Sequence, residues 1–189
     1  MLEYQRYGRN KDTVINHSYI ESGEYRKKFD KITLNSEVNR ILYLKAKEML
    51  IHRSGTLFED MYWIDADTGE IVAKALDEKL EKQVVYTKSL LSLIKTTDNL
   101  IAMHTHPNSM PPSIADFNSC FQHNYVGGLV ICHDGTVYNY MSNQNIPIGL
   151  QDAYIKEFLK IAYNNEKIAQ LMALEKIREN YDINFREVK

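Results

Sequence analysis

Apolar positions give the first map of the chain. From Asn35 onward, Val38, Ile41, Leu42, Met49 and Leu50 fall near helical spacing, with Asn35 or Ser36 placed to cap and Gly55 after the end. The pattern predicts a helix over roughly residues 36–52. The period then changes: "TLFEDMYWID" and "EIVAKAL" flank the turn cluster "DADTG", which predicts a hairpin. Gln83 to Tyr86 predicts a short third strand, and "TKSLLSLIKTT" an amphipathic helix opening at Thr87. "NLIAMHTH" is a short apolar run that ends in two histidines, as a buried strand does when it delivers its last residues to a surface cleft.

Further along, "SIADFNSCFQHN" predicts a short helix opening at Ser113, and "VGGLVICHDGTVYNYMS" a hairpin turning at Asp134-Gly135. From Leu150 to about Glu179, Tyr154, Phe158, Ile161, Ile168, Leu171, Leu174 and Ile177 recur at helical intervals. They predict one long or broken helix whose apolar stripe must cover something. Residues 1–34 are polar and Tyr-rich without a clear period and are expected to form an extended or partly ordered arm. The expected organisation is an arm over 1–34, a domain over 35–149, and a helical segment over 150–189 that packs on the domain or on a second copy of the chain. The alternation of helices and strands indicates an α/β fold with a mixed sheet flanked by helices.

Composition narrows the function classes. With 189 residues, 44% of them hydrophobic, the chain can bury a core. Its 23 Lys and Arg against 25 Asp and Glu leave a net charge of −2, so electrostatics gives no reason to expect nucleic acid or an anionic membrane as partner. No apolar run approaches the roughly 20 residues of a membrane span, and "MLEYQRYGRNKD" lacks the apolar centre of a signal peptide; a cytoplasmic location is expected. Cys120 and Cys132 form no CxxC pair and are expected to be buried free thiols.

The chemistry concentrates in "AMHTHPNSMPPSIAD", residues 102–116. Residues two apart on a strand share a face, so His104 and His106 can aim ring nitrogens at one point, as a zinc ion requires at about 2.0–2.1 Å from each. Pro107, Pro111 and Pro112 stiffen the following loop and lower the entropy lost in holding a third ligand. Asp116, in the first turn of the next helix, can be that ligand, and three protein ligands plus water make an open, catalytic type of site. A carboxylate that is not a ligand must then move protons. Glu59, at the start of the strand "EDMYWID", is the candidate, with Asp60 and Glu70 as competitors. Ser113 can donate to a developing oxyanion, although Ser-x-x-Asp is also a helix-capping pattern. His123, at the end of the same helix, is a rival ligand. His17, His52 and His133 are expected at the surface.

Together these residues resemble the signature of the JAMM family, the zinc metalloproteases of the MPN-plus class: an upstream Glu, then His-(Ser/Thr)-His-Pro, then Ser-x-x-Asp. The matching residues are Glu59, "HTHP" at 104–107 and "SIAD" at 113–116. The resemblance covers roughly residues 52–145. It implies zinc on His104, His106 and Asp116, Glu59 as general base and then acid, Ser113 supporting the tetrahedral intermediate, and a fold related to the cytidine deaminases. The loop between His106 and Ser113 is one residue shorter than the family's usual interval, and the ten residues between Asp116 and Gly127 leave no room for the second insertion of the eukaryotic deubiquitinases. The compact motif is more similar to bacterial and phage JAB domains, including the RadC-like group. The implied function is hydrolysis of an amide bond in a peptide or protein tail, a ubiquitin-like protein being one candidate substrate. A scaffold or protein-binding module of the same fold is the alternative. A nucleobase hydrolase is disfavoured because the Pro-Cys-x-x-Cys pair of the deaminases is missing.

Overall fold

In the computed structural model, which describes residues 11–77 and 80–189, six strands form a single mixed sheet. They are β1 (Met61–Asp65), β2 (Ile71–Ala75), β3 (Leu100–His106), β4 (Gly127–Cys132), β5 (Val137–Ser142) and β6 (Ile183–Glu187), in the spatial order β2-β1-β3-β4-β5-β6. Only β3 and β4 run parallel; the other neighbours are antiparallel. The β1–β2 turn is built by Asp65, whose carboxylate accepts from the backbone N–H groups of Asp67 and Thr68, and by Gly69 at φ 77°, a conformation that glycine adopts without a Cβ clash. Gly135, at φ 85°, turns the β4–β5 hairpin.

Both faces of the sheet are covered. On one lies α3 (Ser36–Arg53), whose cap Asn35 accepts from the N–H of Glu37 at 3.0 Å. Its inward Val38, Leu42, Ala46, Met49 and Leu50 pack with Tyr62, Ile64, Met103, Leu129 and Ile131 of the strands. On the other lie α4 (Lys88–Lys95), α5 (Ile114–Gln122), α6 (Leu150–Phe158) and α7 (Glu166–Arg178). There Ile94, Phe117, Leu174 and Ile177 meet Trp63, Ala102, Val130 and Tyr140. The central strand β3 is buried at all seven positions, as a strand sandwiched between helices must be. Cys120 and Cys132 are buried free thiols, and no helix among the described residues is long and apolar enough to cross a membrane.

Two expectations need correction. Residues 11–34 are not an extended arm: a 3-10 turn (Lys11–Thr13), α1 (His17–Ile20) and α2 (Gly23–Lys27) fold Ile15, Ile20, Tyr25 and Phe29 into the core beside α3. Their apolar residues are spread over three short turns, so no single period betrays them. The part of the expected arm before Lys11 lies outside the described residues. Gln83–Tyr86 is not a strand: among the described residues an isolated bridge, Phe58 to Glu81, forms nearby, and Val84 and Tyr86 pack on the core from a segment outside the sheet. The C-terminal stripe takes the broken of its two expected forms, with Tyr163 and Asn164 at φ 52° and 60° between α6 and α7. It is followed by β6, whose only inward residues are Ile183 and Phe185. The segment from residue 150 is thus part of the main core.

Candidate metal centre

The parallel β3–β4 pair brings the C-terminal ends of two strands side by side, where an α/β sheet characteristically offers a crevice to ligands. His104 and His106 are the last residues of β3 on one face, with registers to Val130 and Cys132 of β4. Their Nε2 atoms lie 3.0 Å apart. Asp116 comes from the first turn of α5, with Oδ1 3.2 Å from His104 Nε2 and Oδ2 3.7 Å from His106 Nε2. Ligands bound at about 2.0–2.1 Å in a tetrahedron stand about 3.3 Å apart, and these separations bracket that value. The three side chains, whose donor atoms all lie within 4.8 Å of one another, can hold a metal ion; no other such group of three occurs among the described residues.

The surroundings prepare the rings. His106 Nδ1 donates to the carbonyl oxygen of Met110 at 2.9 Å, which leaves the Nε2 lone pair facing Asp116 and His104, the kind of outer contact that fixes a ligand's tautomer. His104 Nδ1 is buried without a protein partner, a departure from that pattern. Burial, with the facing His104 next, pushes the His106 imidazole down to about 4, so it is neutral. For His104, burial works against protonation, but Asp116 outweighs it and raises the pKa. Burial would raise the Asp116 carboxyl, yet His104, His106 and the Ser113 N–H together hold it below the usual carboxylate range. The Asp116 carboxylate thus faces two imidazole nitrogens and favours positive charge between them.

Ser113 caps α5 in a reciprocal box with Asp116. Its N–H donates to Asp116 Oδ2 at 2.6 Å and its hydroxyl donates to the same oxygen at 2.9 Å. The serine thus lines the cleft with its hydroxyl proton engaged on Asp116. The carboxylate that closes the capping box is the one that faces the histidines.

Glu59 lies two residues before β1. Met61 is the register partner of His104, and side chains alternate along an extended chain, so Glu59 shares the face of Met61 and of the histidines. It lines the same cleft, of about 410 Å³, with His104, His106, Ser113 and Asp116. Only 7% exposed, its carboxyl is pushed up to about 7, first by burial and then by Asp116, against His104 and Lys82. The competitors are elsewhere. Asp60 points to the opposite face, paired with Arg53 and His52. Glu70 sits beside Asp65, at the end of β1 that pairs with Leu100 rather than His104.

His123 is the C-cap of α5 and stacks on Tyr86 at 5.5 Å, outside the ligand group. His17 is exposed, whereas His52 is tied to Asp60 and His133, expected at the surface, is buried at 2% exposure with Nδ1 donating to the Thr13 carbonyl at 2.7 Å. His133 follows β4 beneath the folded N-terminal segment, and that segment was the part of the pattern with no readable period. The cleft also takes Lys82, Val84, Tyr86, Tyr140 and Gln170, which come together only through tertiary packing. Comparison of the chain with family models, with curated proteins and with solved structures finds no match in any of the three.

Proposed function

We propose that the chain is a zinc-dependent metallopeptidase or isopeptidase of the JAMM type, with a JAB/MPN-like sheet. The observation that carries this reading is the convergence of His104, His106 and Asp116 on one point, with a buried, neutral-range carboxyl, Glu59, in the same cleft. The donor set of two imidazoles and a carboxylate suits zinc. When bound there, zinc lowers the pKa of a water to about 7 and polarises a carbonyl.

The chain's own residues supply the rest. Glu59, with a pKa near the working range, accepts a proton from the attacking water and passes it to the leaving amide nitrogen, so that OH is added to the carbonyl carbon and H to the nitrogen as the C–N bond breaks. Ser113 and the α5 N-terminus hold Asp116 in place. Met61, Val84 and Tyr86 give the cleft an apolar wall, and Lys82, Gln83 and Asn108 a polar rim, a lining suited to an extended peptide.

The test is metal content together with cleavage of a peptide library and of ubiquitin-like fusions by wild type and Glu59→Gln. Stoichiometric zinc in both proteins, with cleavage lost in the variant, is the expected result. Absence of bound zinc in both would overturn the reading, and zinc with partner binding but no cleavage of any probe would favour the scaffold alternative.

A further inference from the structure

Glu59 is placed by surprisingly little of the regular sheet. The β1 ladders begin at Met61, which pairs with Ala75 on one side and His104 on the other. Before it, Asp60 is fixed by its backbone to Thr105, the residue between the two histidines: Thr105 N–H donates to the Asp60 carbonyl at 3.0 Å, and Asp60 N–H donates to Thr105 Oγ1 at 3.0 Å. The Asp60 side chain then crosses to the face of the sheet away from the cleft. It is fully buried, accepting from Arg53 Nε and from His52 Nδ1, the latter at 2.7 Å.

Arg53, the last residue of α3, is itself only 2% exposed. Besides Asp60 it donates through Nη2 to the Leu76 carbonyl at 2.6 Å, and its guanidinium lies over the Phe58 ring, 5.7 Å from the centroid. One side chain thus contacts both sequence neighbours of Glu59, Phe58 by stacking and Asp60 by charge. A buried ion pair contributes little net stability compared with apolar residues of the same shape, because both charges are stripped of water. What it does supply is direction, since a planar guanidinium with a fork of donors fixes its partners in a way an ammonium cannot.

We propose that Arg53 is the positioning residue for Glu59: from the far face of the sheet it grips Phe58 and Asp60 and so sets the carboxylate between them against the His104–His106–Asp116 group. This rests on the peptidase reading of that group, but the placement of Glu59 can be read without activity.

The experiment compares wild type with Arg53→Lys, which keeps the charge and loses the fork and the stacking. Asp60→Asn, which keeps the shape and loses the charge, is the second variant should the first fail to fold. Expected are unchanged zinc content, KM within about twofold, and kcat lowered by about 10²-fold, the size of loss that a misplacement near 1 Å brings. A kcat that is unchanged overturns the proposal. Crystal structures of the zinc-loaded proteins decide it independently: a displaced Glu59 carboxylate with His104, His106 and Asp116 in place supports it, and an unmoved Glu59 overturns it. Failure of wild type to cleave any probe would count against the peptidase reading alone, with the crystal comparison still deciding the role of Arg53.

Discussion

The carbonyl oxygen of Met110 accepts a hydrogen bond from His106 Nδ1 at 2.9 Å, so the proline-flanked loop after β3 selects the tautomer of the histidine it follows. With Nδ1 carrying the proton, Nε2 can only present a lone pair to His104 and Asp116. That lone pair, the facing His104 and the Asp116 carboxylate are the groups a bound cation would meet.

Metal binding should therefore stabilise the fold. At a free zinc concentration about 1,000 times the dissociation constant, a site that exists only in the folded chain adds about 4 kcal/mol. Thermal melts of wild type are expected to rise on adding zinc and fall on adding a chelator. His106→Ala should melt at the same temperature in both conditions, and a zinc-dependent rise retained in that variant would remove His106 from the ligand set.

Ser113→Ala separates two roles of one hydroxyl. Loss of the N-cap should cost about 1 kcal/mol of stability. Loss of the 2.9 Å contact to Asp116 Oδ2 should weaken zinc affinity by about 10-fold or more, as removal of an outer contact to a ligand does. Chemical denaturation and competition with a chromophoric chelator measure the two effects. A fall in kcat with unchanged zinc affinity would instead assign the hydroxyl to the transition state.

The candidate ligands were legible because they are local: a strand carrying His104 and His106, stiff prolines, and a capping pattern at Ser113 and Asp116 lie within one short stretch of chain. Glu59 was harder, since a charge at a strand end is ordinarily solvated; it is distinguished from Asp60 only by register with His104 and by the face to which each points. Arg53 and the Met110 carbonyl were invisible for a different reason. Their partners lie on other elements, and a basic residue in the last turn of a helix already has a local explanation in the helix dipole. The same logic explains β6: two inward residues make no period, and the strand exists because β5 offers an edge to pair with.

His133 contributes to the pH dependence of stability. Burial, only partly offset by the Thr13 carbonyl and Asp134, lowers its pKa below the ordinary 6.5. Between the two values the unfolded chain binds more protons than the folded one. The neutral ring's contribution is thus fully present above pH 6.5 and is lost as the pH falls through the folded value. Metal-free wild type should lose stability from pH about 7.5 to about 5 more steeply than His133→Gln, whose amide can still donate to Thr13 but cannot charge. Equal slopes in urea titrations would show that His133 is not the group responsible.

The remaining prediction concerns a glycine that the site depends on indirectly. Gly128 of β4 pairs with Tyr140 of β5, and a Cβ at that position would overlap the Tyr140 ring. The ring has nowhere to go: it is 2% exposed, with Phe117 of α5 at 5.4 Å and His104 at 6.3 Å between centroids. Gly128→Ala should force it toward those two residues, one of which carries a proposed ligand while the other sits one residue from Asp116. Overpacking of this kind costs about 1–3 kcal/mol, and because the displaced neighbours border the metal group, zinc affinity should fall along with stability. Replacing Tyr140 by Leu in the Gly128→Ala background removes the overlap and should recover part of both losses. If Gly128→Ala alone matches wild type in melting temperature and in zinc affinity, the close approach of Tyr140 to the β4 backbone does not constrain the site.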